Sequence, residues 1–368
     1  MTAIRRIGVS AVIAVAVLVI QAAPASAHTV SGQGATNYRP VLQSITPAVP
    51  GLSAKTLDVG SWIEVGWTGP GDLTILGYQG EPYLRIGPDG VYRNKLSPAT
   101  YLNVTRTSYG TIPSYANAKA APVWERISGG HSVIWHDHRI HWMGGPTPPE
   151  VRADPGAPHV VFAWTINMTA GTTPVTVRGE LQWVPGASPW PWVVLIVLLG
   201  VAGIAAGRGR RWAPELLALL AVLIVTDAIH AVGTGLDVPG SAVHKILLIF
   251  AGSYYSIVAW VLGVVAIRLL ARRNVDGLFA AVFAALVIGL FGGLADVIAL
   301  GRSQVPFLFG MTFDRVLIAL SLGLGAGVVV GSVLAFRHNR SPILPDEEAG
   351  EDDDFLVDPA VGTAGAGG

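Results

Sequence analysis

The 368-residue chain contains no cysteine. Disulfide cross-links, thiolate zinc sites, iron–sulfur clusters and thiol catalysis are thereby excluded. Charge is also scarce. Only 13% of residues are Asp, Glu, Lys or Arg, and 24 basic residues balance 24 acidic ones. A neutral chain has no bulk attraction to polyanions, so no nucleic-acid partner is expected. There are four methionines and no Met-rich run. The P-loop, the H-E-x-x-H helix and the nucleophile elbow are missing too, which favours a binding protein over an enzyme. What fills the chain is apolar: 51% of residues are hydrophobic and mean hydropathy is +0.51. That is too apolar for an ordinary soluble domain and points to several spans of a lipid bilayer.

The apolar residues are unevenly placed. Residues 1–27 read as a signal peptide. Arg5 and Arg6 precede the apolar run IGVSAVIAVAVLVI, and Ala25-Ser26-Ala27 fits a small-residue cleavage site. Cleavage there leaves His28 as the first residue. Residues 28–188 alternate in short runs such as SWIEVGW (61–67), LTILGY (73–78), YLRIG (83–87), HVVFAWTINM (159–168) and PVTVRGELQWV (174–184). Turn-forming GPGD, GPDG and ADPGAP separate them. This is the pattern of an all-β, immunoglobulin-like sandwich.

Residues 189–336 hold five apolar segments, about 191–207, 213–233, 243–270, 277–300 and 311–336. Each is near the roughly 20 residues an α-helix needs to cross a bilayer. Arginines follow the first (Arg208, Arg210, Arg211), third (Arg268, Arg272, Arg273) and fifth (Arg337, Arg340), whereas the other connections carry only Lys245 and Arg302. The positive-inside rule then places residues 28–188 outside a plasma membrane and the C-terminus in the cytoplasm. Residues 337–368 include DEEAGEDDD and read as an acidic, disordered cytoplasmic tail.

One stretch of the extracellular half concentrates chemistry. WHDHRIHWM (135–143) holds three histidines, an aspartate and an arginine between two tryptophans. On a regular strand His136 and His138 share one face, and Asp137, Arg139 and His141 the other. An N-terminal His28 adds an amine and an imidazole. Nitrogen donors of this kind suit Cu(II), with Asp137 as an oxygen ligand or an orienting partner. The same histidines also fit hydrogen bonding within a sheet, or a pH sensor.

The combination of His28, an Asp/His constellation in a β-sandwich and a polytopic half resembles the CopC/CopD family of bacterial copper proteins. That resemblance implies copper capture or delivery, with Cu(II) held by His28, Asp137 and one of His136 or His138. An N-terminal histidine with a second imidazole is also similar to the copper brace of oxidative polysaccharide-cleaving enzymes, which is the alternative.

Ionisable groups inside spans are costly and mark candidate sites. Asp227 and His230 lie three apart on span two. His244 opens span three, with Tyr255 three turns further on about the same face. Asp296 lies near the end of span four, and Met311, Asp314 and Arg315 at the start of span five. All fall at the extracellular ends. Asp227, His230, His244, Asp296 and Met311 are candidate metal ligands there. A proton site at the same residues, or a structural network pairing Arg315 and Lys245 with Asp314, Asp227 or Asp296, is the alternative.

Overall fold

The computed structural model describes residues 34–60, 62–104 and 110–339. Residues 1–33, which include the stretch expected to be a signal peptide and His28, and residues 340–368 lie outside the described residues. The N-terminal half is a β-sandwich of ten strands and the C-terminal half is helical.

The strands are β1 (Tyr38–Thr46), β2 (Leu52–Leu57), β3 (Trp62–Trp67), β4 (Leu73–Leu76), β5 (Pro82–Gly87), β6 (Gly90–Asn94), β7 (Trp124–Ser128), β8 (Ser132–Trp135), β9 (His159–Ala170) and β10 (Thr173–Trp183). A seven-stranded sheet, in the order β1-β10-β9-β4-β5-β6-β7, faces a three-stranded sheet, β2-β3-β8. Alternation aims one residue in two at the space between them. From β3 these are Ile63, Val65 and Trp67; from β4, Leu73 and Ile75; from β9, Trp164, Ile166 and Met168. Burying each Ile, Leu or Val side chain contributes about 1.5–3 kcal/mol. Gly179 takes an inward position of β10 opposite Trp164, where a Cβ would strike the indole ring.

The helical half contains α-helices longer than those of the sandwich, where only Ala99–Leu102 (α1) and Pro149–Ala153 (α2) occur among the described residues. It comprises α3 (Trp190–Arg208), α4 (Trp212–Asp237), α5 (Ala242–Gly252), α6 (Tyr254–Ala271), α7 (Gly277–Ile288) and α8 (Met311–Asn339). Five segments are long and apolar enough to cross a membrane: α3, α4, α6, α8, and Gly277–Gly301, which α7 opens. The expected third span, 243–270, is divided at Ser253, whose φ/ψ of −109°/15° leaves the helical region. Tyr255 therefore does not continue the face that carries His244. Beyond α7, the chain passes into a π segment (Gly289–Gly293) and then a 3-10 segment (Leu294–Gly301).

Apolar side chains gain little from helix association in lipid, so close backbone packing must supply the attraction. The glycine-rich run 323–331 does this. Gly327 packs against Gly200 and Gly203, and Gly331 against Gly203 and Gly207, so α3 and α8 touch backbone to backbone.

The halves meet at loop 302–310. Thr36 and Gln304 exchange backbone hydrogen bonds of 2.9 and 2.8 Å. The Ser303 amide donates to Asn37 Oδ1 at 2.9 Å, and its hydroxyl to the Val184 carbonyl at 2.8 Å. Both ends of the sandwich, before β1 and after β10, are therefore fastened to one loop of the helical half.

Candidate functional site

The WHDHRIHWM stretch is not the continuous strand its alternation suggests. β8 ends at Trp135, and the chain turns. The cause is Asp137. Its Oδ1 accepts the Arg139 amide at 3.0 Å and its carbonyl accepts the Ile140 amide at 3.1 Å, an Asx-type turn that competes with strand pairing. The carboxylate is wholly buried and fully engaged. Arg139 Nε donates to Oδ1 at 2.8 Å, Arg139 Nη2 to Oδ2 at 2.7 Å, and Trp135 Nε1 to Oδ2 at 2.9 Å. Burial alone would raise the Asp137 pKa, but the Arg139 hydrogen bonds and charge, then the Trp135 indole, outweigh it and hold the carboxyl below its ordinary range. Arg139 also lies over the Tyr78 ring, 4.9 Å from its centroid. Burial, and next the Asp137 charge, push the Tyr78 phenol up.

The turn separates the histidines differently from a strand. His136 stacks on Trp62, with ring centroids 3.5 Å apart and planes 29° apart. His138 and His141 instead meet edge to face, with centroids 5.5 Å apart, and both are buried. The shared-face pair expected of His136 and His138 is thus replaced by His138 and His141. His141 lines a cavity of about 280 Å³ together with Gly34, Thr36, Tyr38, Val59 and Trp142. Val59, a β-branched residue, is held there at φ 52°, a conformation that costs on the order of 1–3 kcal/mol and that concentrates at binding sites. His159, outside this group, bonds the Asp154 carbonyl at 2.6 Å.

At the end of the helical half nearer the sandwich, His230 of α4 lies between two carboxylates. Its Nδ1 is 2.9 Å from Asp314 Oδ1 of α8, and its Nε2 is 3.2 Å from Asp296 Oδ2 of the 3-10 segment. The Phe307 ring lies nearly parallel to the imidazole, 18° off, at 6.0 Å. Asp227 belongs to a different contact. Its Oδ2 accepts Trp260 Nε1 of α6 at 2.7 Å, and Gly292 leaves the room its other oxygen occupies. His244 is exposed at the start of α5, and Met311 is 39% exposed. Of the expected set, His230 and Asp296 come together, and Asp314 joins them.

Arg315 and Lys245 each donate to backbone carbonyls. Arg315 donates to the Ala299 carbonyl at 3.1 Å and to the Arg302 carbonyl. Lys245 donates to the Leu236 carbonyl at 2.7 Å. Asp314, placed in the sequence reading only as a partner for a cation, is the residue whose role was missed. Its signal is a second carboxylate at the same depth as Asp296, with one histidine between them.

Among the described residues no three His, Asp or Glu side chains converge to hold a metal ion. The geometry of the triad explains this, because its carboxylates sit at opposite edges of one ring. The chain matches no family model, no curated protein and no solved structure.

Proposed function

We propose that the chain is a plasma-membrane protein that captures copper outside the cell, its sandwich extracellular and its C-terminus cytoplasmic. The reading rests on the His138–His141 pair beside a cavity that also borders Gly34. His28 precedes Gly34 by six residues, a reach of up to about 20 Å in extended chain. A cleaved signal peptide then gives an amine and three imidazoles for one Cu(II), a nitrogen-rich set that this ion prefers. Asp137 is spent on Arg139 and Trp135, so it fixes the turn and leaves ligation to the rings. His136, stacked on Trp62, stands with it in support.

Cu(II) titration of the chain in detergent, purified with His28 as its first residue, followed by electron paramagnetic resonance, tests this. The expected spectrum shows several equatorial nitrogens. Replacing His138 and His141 together by alanine removes that signal, and one residue added before His28 weakens binding. Metal and proton compete for each imidazole, so affinity falls on acidification. Unchanged copper affinity in the double variant overturns the assignment.

A further inference from the structure

The geometry points to Asp296, His230 and Asp314 as a one-proton latch that fastens the 3-10 segment to α4 and α8. This inference is independent of copper. A neutral imidazole has one N–H donor, and its other nitrogen can only accept. Here each ring nitrogen faces a carboxylate oxygen, at 2.9 and 3.2 Å. A carboxylate has no hydrogen to give, so both contacts are hydrogen bonds only when one proton beyond neutral imidazole is present. Imidazolium satisfies both at once, with charge-assisted bonds. Removing the proton leaves one ring nitrogen lone pair against a carboxylate, and that bond is lost.

Location decides which contact opens. The His230 and Asp314 side chains are each 3% exposed and Asp296 is 22% exposed. The longer, more exposed contact to Asp296 is the one released. Asp296 rides on Leu294–Gly301, which follows the π turn Gly289–Gly293. Departures from α-helical bonding of this kind mark hinges within helices. Arg315 holds the far end of the segment through the Ala299 and Arg302 carbonyls.

Other ionisable groups nearby are occupied elsewhere. Asp227, one turn back on α4, takes the Trp260 indole. Lys245, of α5, serves the Leu236 carbonyl near Asp237. Phe307, flat against His230, brings no charge.

The test uses full-length protein in lipid nanodiscs with ¹⁵N-labelled histidine. The chain has nine histidines, and the His230 resonances are assigned by their loss in His230→Gln. Should that variant fail to fold, their shift in Asp296→Asn assigns them. Both ring nitrogens should be protonated near neutral pH in the native protein. Asp296→Asn and Asp314→Asn should each yield a neutral ring. Raising the pH should convert the native ring in one step. Amide exchange over 294–301, corrected for its base-catalysed component, should accelerate about tenfold in that step, as expected for one lost charge-assisted hydrogen bond. A bare ring nitrogen near neutral pH in the native protein overturns the latch. So does an exchange step that persists in His230→Gln or Asp296→Asn.

Discussion

Asp137 and Arg139 stand two residues apart and bond to each other directly, whereas His230 reaches Asp314 across 84 residues and Asp296 across 66. Both groups are buried acid–base clusters. The first is built by one turn and balances its own charge with a guanidinium. The second exists only when three helical elements are in register. The first should therefore answer to local chemistry and the second to helix packing.

The sharpest break of that contrast is Arg139→Leu. It leaves the Asp137 carboxylate buried without its cation, a loss of about 3–5 kcal/mol. Tryptophan fluorescence during denaturant unfolding of the sandwich should report it, while far-ultraviolet helix content stays the same. A loss below about 1 kcal/mol would show that the turn does not depend on the pair. The pH dependence has a definite sign. Asp137 has a lowered pKa in the folded state, so its contribution is complete above the unfolded carboxyl value of about 3.9 and is lost as pH falls through the lower folded value. Unfolding midpoints measured from neutral to strongly acidic pH should fall only in that acid range.

The packing side is tested next by Gly327→Leu. A side chain there meets the backbone of Gly200 and Gly203, and overpacking at such a contact costs about 2–3 kcal/mol. Thermal unfolding of the helical half in detergent measures it, and the Asp137 turn should be unaffected. Trp260→Phe removes the indole donor to Asp227 and should cost about 1–2 kcal/mol in the same assay. The smallest effect belongs to Lys55→Ala. It removes a 2.8 Å pair with Glu64 whose lysine is 63% exposed, and it should change sandwich stability by less than about 1 kcal/mol.

The sequence made the sandwich visible through alternation and the five apolar segments through their unbroken length. SWIEVGW, LTILGY, YLRIG, HVVFAWTINM and PVTVRGELQWV each contain or overlap a strand, from β3 to β10. β1, interrupted by Pro40, and β2, LSAKTL, carry too few apolar residues to stand out. The site was less legible. Period-two reasoning extended β8 through His141, but Asp137 accepted the Arg139 amide with its side chain and the Ile140 amide with its carbonyl, and the strand ended. In the membrane half, depth could be inferred from helix ends, which brought Asp227, His230, Asp296 and Asp314 to one level. Azimuth could not, because it depends on helix rotation, on the π turn and on the room left by Gly292.

Fastening the sandwich at both of its ends to Ser303 and Gln304 has a consequence for encounter geometry. A domain on one flexible stalk samples a wide solid angle, and its effective concentration at any fixed point falls with stalk length. Two anchor points within a single loop remove most of that freedom. Whatever occupies the cavity beside Gly34 is presented at nearly constant height and azimuth above the helices, so lengthening the 302–310 loop should dilute that presentation without altering a single side chain of either half.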